Sequence, residues 1–409
     1  MFINWKDRKS RWFTLFAVII FILNITMNMI NGRFWLSDFK VYYFAASNMI
    51  SGLEVYHLSF GDVSGLYKYS PISLFFFFPF TLFSYTVASI LHFSLLCFAF
   101  WYAFLLIRNL LEEYFFPDYK GNTEWILILS MMFILLYLVK ELYLGNINIL
   151  LLLLCLMVLQ TILKGKPVQA GIIFGLVVLT KPFFLILIIP LLLRKNVKML
   201  VVFVITLVSG LVIPFMVFGL PRGLALTENW LGTMLQHGQS YPGVNDLVYI
   251  LKYYISRDLP FFTGYLIIIS AGMLITWFVC RNLSMESGDE QAENLAGKNF
   301  IFEWFLILGV LPDLVSTDSE HFLASAPLIT FILFFVARFK YYRLIPLLVI
   351  IFFFFGGNSD DLLGHRLSNQ LYIMGLLGIS NLVLVSLSVI LFLDFRKRVQ
   401  EEGKLKLNS

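Results

Sequence analysis

The chain has 409 residues, of which 59% are hydrophobic and only 13% charged, with 44 phenylalanines and a formal net charge of +5. A soluble domain carries roughly a quarter charged residues, so the composition excludes an ordinary water-soluble enzyme and a nucleic-acid partner, and points to a single membrane-embedded helical unit over 1–409. It also excludes a disulfide scaffold: Cys97, Cys155 and Cys280 sit within or at the end of apolar runs, without metal-ligand spacing, and read as packing residues.

A membrane span needs about 20 mostly apolar residues. The first, 12–31, follows the basic residues Lys6, Arg8, Lys9 and Arg11. It is too long for a signal-peptide core and no small-x-small site follows it, so it reads as a retained span. A long loop over 32–84 comes next. Its later part, 69–85 (YSPISLFFFFPFTLFSY), is apolar but short and carries two prolines. Irregular backbone at membrane depth survives only under protein cover, so this part reads as a re-entrant or interfacial segment. Spans are then predicted at 85–107, 125–140, 146–163, 168–181, 182–193 and 199–219. A second long loop covers 220–260, followed by spans at 261–281, 300–316, 321–337, 344–356 and 371–393. The expectation is an all-α polytopic bundle of about twelve crossings.

Lysine and arginine orient it. With the N-terminus inside, the inner segments 1–11, 108–124, 164–167, 194–198, 281–299, 338–343 and 394–409 hold 21 of the 30 basic residues. The positive-inside rule then predicts both termini in the cytoplasm, and would fail if 69–85 were a full crossing. The stretch 281–299 reads as a mobile tether, and the basic tail 394–409 is expected near anionic headgroups. The outer side carries both long loops and most of the polar residues, and loops of that size usually carry function.

Asp38 lies just beyond the first span, among aromatic neighbours. Ser37 or Asp38 is suited to cap the following helix, because a short oxygen side chain accepts from exposed backbone N–H groups. Equally, a carboxylate at a low-dielectric boundary has a raised pKa and suits general-base work. Lys181 precedes Pro182 at an outer helix end, placed either to snorkel or to hold a lipid phosphate. His321, with Asp318 and Glu320, forms either a polar site or an ordinary solvated turn, and His92 is predicted to be packed or to line a pore. The amides of 144–148 (LGNIN), and those of Asn245 and Asp246, either bind sugar hydroxyls or cap helices. No HExxH, nucleotide loop or Ser-His-Asp order is present. An outer-facing enzyme has no access to cytoplasmic nucleotide sugars and needs a donor already in the membrane. A secondary transporter, a lipid-linked-sugar flippase and an O-antigen-type ligase fit the same topology, although no half-to-half repeat is evident.

Four stretches together resemble glycosyltransferase family 87. They are 38–56, with its Asp, Tyr-Ala and Gly-x-x-x-Tyr pattern; 69–79 (YSPISLFFFFP), with Tyr-x-Pro; 145–153 (GNINILLLL), where the family usually has Gly-Gln; and 170–195, with AG-x-x-x-G before Lys-Pro. The C-terminal half is similar by hydropathy and by the turn at His321. The resemblance implies a GT-C fold with an extracytoplasmic active site, in an integral protein of the bacterial inner membrane. It implies a polyprenyl-phosphate sugar donor, mannose among the candidates, and a glycolipid or glycan acceptor. Asp38 would be the catalytic base, Lys181 and His321 the donor-phosphate contacts, and Tyr42, Tyr69 and Asn146 the shapers of the sugar or acceptor site. No cofactor is required, although some GT-C enzymes use a divalent metal.

Overall fold

The computed structural model describes residues 10–407 except 33, 35, 61–64, 241–242, 261, 287–289 and 316–317. The basic leader 1–9, parts of the first loop and the middle of the predicted 281–299 tether therefore lie outside the described residues. Among those described there is no strand; the extended backbone of the first loop pairs once, Ser59 with Leu66.

The helices in order are α1 (Arg11–Ile30), α2 (Ser37–Ile50), α3 (Tyr85–Leu110), α4 (Thr123–Phe133), α5 (Leu135–Leu144), α6 (Asn148–Leu163), α7 (Pro167–Thr180), α8 (Ile188–Leu193) and α9 (Val197–Phe218). After them come α10 (Leu220–Ser240), α11 (Leu247–Tyr254), α12 (Thr263–Glu286), α13 (Glu290–Leu314), α14 (Ala326–Phe339), α15 (Ile345–Gly356), α16 (Asp360–Leu363), α17 (His365–Ile373) and α18 (Leu376–Leu407). By length and apolarity seven described helices are able to cross a membrane, or eight if α4 and α5, bent by 64°, act as one span. Four shorter apolar helices occupy the remaining predicted positions, so twelve full crossings are not reached by length alone.

The departures from long helices follow local chemistry. The stretch 69–85 forms two 3-10 turns, Pro71–Phe76 and Phe78–Leu82, each with a proline, which donates no N–H, in its first two positions. Ser70 and Ser73 there are fully buried, and the Ser70 hydroxyl donates to the Leu179 carbonyl at 2.5 Å, so protein covers this irregular backbone. The second long loop is helical instead of open, through α10 and α11, and Asp246 caps α11 by accepting from the Tyr249 N–H at 2.9 Å. The expected tether is also largely helical, continuing α12 to Glu286 and resuming α13 at Glu290. Its Glu, Gln, Ala and Leu residues favour helix, and Asn282 is locked inside.

Two ends of the bundle differ sharply. At the end where α1 begins and the last turns of α18 lie, Phe13 stacks on Phe104, and Phe115 meets Phe395. Buried Glu303 there accepts from Arg194 at 2.5 Å and from Asn282 at 2.7 Å, while Arg396 donates to Asn282 at 2.6 Å. These charges are paired, as low-dielectric burial demands. Toward the other end, α7 lies directly on α9. A Cβ at Gly171 would stand 2.7 Å from the Met199 carbonyl, and one at Gly175 2.6 Å from Thr206, so the AG-x-x-x-G stretch exists to let two backbones touch. That contact fixes the C-terminal end of α7, where the opposite, charged face of the bundle is assembled.

Candidate active site

The site is made where helices break. Pro182 disfavours helical backbone in the residue before it, and Lys181 is extended at φ −131°, ψ 100°. Its side chain leaves the helix line and enters the protein, only 5% exposed. The ammonium donates to Asn148 Oδ1 at 2.6 Å and contacts His321 Nε2 at 3.0 Å. His321 Nδ1 lies 3.1 Å from the Asp318 carbonyl, which places the ring proton on Nδ1 and leaves Nε2 to accept from the lysine. A charged lysine and a neutral histidine follow. One lysine N–H then remains among the described residues, beside the rings of Tyr69 (5.5 Å) and Phe183 (5.9 Å).

Asp38 lies within electrostatic reach of Lys181. Its helix is preceded by Leu36 in the left-handed region, φ 43°, a conformation that costs an L-residue about 1–2 kcal/mol. Burial holds it there: a Cβ on Gly145 would lie 2.9 Å from Leu36 and 3.0 Å from Phe39, so the LGNIN turn, itself at φ +67°, clasps the start of α2. Neither Ser37 nor Asp38 caps that helix through its side chain. Among the described residues the half-buried Asp38 carboxylate has no hydrogen bond. Burial is the main reason that its pKa is pushed up to about 6; the charge of Glu320 adds to the rise and that of Lys181 opposes it.

Tyr42 follows Asp38 by one helical turn on the same face. Its hydroxyl lies 3.2 Å from that of Tyr69 and donates to Asn146 Oδ1 at 3.2 Å. Burial holds the Tyr42 phenol well above its ordinary range, so it stays protonated. Asn146 also accepts from the Ile147 N–H at 2.7 Å, leaving its amide N–H groups as donors. The six residues singled out from sequence thus gather at one end of the bundle. Lys181 and His321 touch, Tyr42, Tyr69 and Asn146 touch, and Asp38 feels the Lys181 charge. Beside them is a narrow cleft of about 20 Å³, lined by Asn148 and His321 together with the apolar Leu152, Phe183, Leu308 and Leu311.

The turn at 318–321 is not the solvated one considered above. Glu320 is 1% exposed and its Oε2 lies 2.8 Å from Lys140 Nζ. His92 is a packing residue, stacked on Phe39 at 4.2 Å with Nε2 against the Gly145 carbonyl at 2.9 Å. Of Lys140, Glu141 and Glu320, the first two were not named from the sequence, and Glu320 was named only as part of the 318–321 turn. The signal for two of them was available: a Lys-Glu pair inside the apolar run LLYLVKELYL, where an ionised residue needs a reason. Among the described residues no group of three or more His, Cys, Asp or Glu is arranged to hold a metal.

The described residues thus form a many-helix membrane bundle with a carboxylate that lacks a hydrogen bond among them and a buried cation at the same end. Residues 67–296, more than half of the chain, match the model of Glycosyltransferase family 87, and the chain belongs to that family. No curated protein and no solved structure matches it. The matched stretch contains Tyr69, Asn146 and Lys181; Asp38, Tyr42 and His321 lie outside it and join it through the contacts described.

Proposed function

We propose that this glycosyltransferase takes a hexose, mannose being the first to test, from a polyprenyl-phosphate donor and passes it to a lipid or glycan hydroxyl at the extracytoplasmic face of a bacterial inner membrane. The excess of Lys and Arg in the inner segments of the sequence supports that orientation. The observation that carries the reading is the pairing of roles across one small site: a half-buried carboxylate without a hydrogen bond among the described residues and, within its electrostatic reach, a buried ammonium with one N–H left over among them.

In the proposed inverting transfer, Asp38 takes the proton of the acceptor hydroxyl, whose oxygen forms a bond to the anomeric carbon from the face opposite the phosphate. The anomeric C–O bond breaks, and polyprenyl phosphate departs with the electron pair. Lys181 offsets the charge that develops on that phosphate, with His321 beside it, in the manner of preorganised electrostatic stabilisation. The apolar wall of Leu152, Leu308 and Leu311 suits the first isoprene units, while Tyr42, Tyr69 and the Asn146 amide suit sugar hydroxyls. The cleft holds roughly one water, so donor entry requires its walls to move apart.

The test is incubation of the purified protein with a panel of polyprenyl-phosphate hexoses and membrane-lipid acceptors, followed by mass spectrometry of products. Wild type should form one inverted glycoside, and Asp38→Asn none. Wild-type yield from Asp38→Asn rules out Asp38 as the base.

A further inference from the structure

Behind Lys181 lies a carboxylate that the proposed reaction does not use. Glu141, on α5, is fully buried. Its Oε2 accepts from Asn148 Nδ2 at 2.9 Å and its Oε1 from the backbone N–H of Ile149 at 3.1 Å. The Lys181 ammonium and the Ile149 N–H only donate, so Asn148 must give its carbonyl to the lysine and its NH2 to Glu141, whose two oxygens accept from Asn148 and Ile149. This settles which end of the Asn148 amide faces which way. The NH2 points to Glu141, and the carbonyl Oδ1 points to the Lys181 ammonium, 2.6 Å away.

We propose that Glu141 is a positioning residue: through the Asn148 amide it holds the Lys181 ammonium with one N–H left for the donor phosphate. The proposal rests on the reading of Lys181 as the phosphate contact. A neutral isostere cannot do the same job. Gln at 141 offers one carbonyl and one NH2 to two donors. The Ile149 N–H is fixed by the backbone at the start of α6 and keeps the carbonyl. The Gln NH2 then faces Asn148, whose amide must turn over to present Oδ1. That rotation aims the Asn148 NH2 at the lysine ammonium, donor against donor, and drives Lys181 from its place.

The same logic predicts a specific rescue. With Asp at 148, one carboxylate oxygen accepts from the Gln NH2 and the other from Lys181. The double variant Glu141→Gln/Asn148→Asp therefore restores every hydrogen bond and the same total charge with the acid and amide exchanged.

Polyprenyl monophosphate, the leaving group common to all such donors, is the probe, and its Kd is measured on the full chain in lipid nanodiscs. Wild type should bind it and Lys181→Ala should weaken binding. Glu141→Gln should raise Kd about tenfold, the loss of one charge-assisted contact. The double variant should return to within about threefold of wild type, a coupling that distant independent sites do not show. Melting temperatures are recorded alongside. A destabilised Glu141→Gln whose Kd recovers in the double variant still supports the proposal. Wild-type Kd in Glu141→Gln, or a raised Kd that the folded double variant does not recover, overturns it. Unchanged binding in Lys181→Ala instead refutes the phosphate reading itself.

Discussion

Replacing Asp38 by Asn should remove sugar transfer and, at alkaline pH, make the protein more stable. The carboxyl pKa rises from 3.8 to about 6 on folding, chiefly through burial. A shift of that size favours the neutral acid by about 3 kcal/mol. The folded state therefore binds the proton more tightly than the unfolded chain. The associated stability is full below the unfolded pKa near 4 and is lost as pH rises through about 6. At pH 8 the ionised group is a liability that Asn does not share. Water reaching this half-buried side chain trims the gain to about 1–3 kcal/mol, a rise in melting temperature of about 2–4 °C. The assay is a thermal melt of wild type and Asp38→Asn in one nanodisc preparation at pH 4.5 and pH 8, with transfer measured on the same samples. The stability difference should be clear at pH 8 and shrink at pH 4.5. Wild-type transfer should fall on the acid side with an apparent pKa near 6. Equal melts at pH 8, or an acid limb near pH 4, would refute the picture of a desolvated base.

Three further outcomes are expected. Lys181→Ala should raise the donor KM by about tenfold or more with little change in acceptor KM, since it deletes a buried charge-assisted contact; steady-state kinetics with each substrate varied in turn checks this. Glu303→Leu should destabilise the bundle by about 3 kcal/mol by stranding Arg194 and Asn282, without altering donor KM, as melting and kinetics together would show. Gly175→Leu should lower the melting temperature and the transfer rate together, because a side chain 2.6 Å from Thr206 pushes α7 off α9 and carries Lys181 with it.

Much of the site was readable because it lies on sequence features with local physical meaning. Lys-Pro marks a helix break, a carboxylate after an apolar span marks an interface, and small residues four apart mark close backbones. Glu320 and Asn148 were harder. Each was equally readable as a site residue or as an ordinary turn or cap residue, and only the packing of the 3-10 turn Ser319–Ser325 against α5 and α6 shows that they are buried and paired. The tether and the second loop were taken as open because polarity was read as irregularity. In both places strong helix formers had neighbours to pack against.

Composition and hydropathy were sufficient for the membrane class and the all-helical fold. Those properties depend on sums over many residues, and such sums do not need coordinates. Which residues meet is a different matter. Asp38, Glu141, Lys181 and His321 are separated by up to hundreds of positions, and their encounter depends on the 64° bend between α4 and α5, the extended Lys181 and the touching faces of α7 and α9. Hydrogen-bond direction and burial come from such long-range packing, so the tertiary structure alone decided that Asp38 stands without a hydrogen bond among the described residues and that Lys181 is held between an amide and an imidazole.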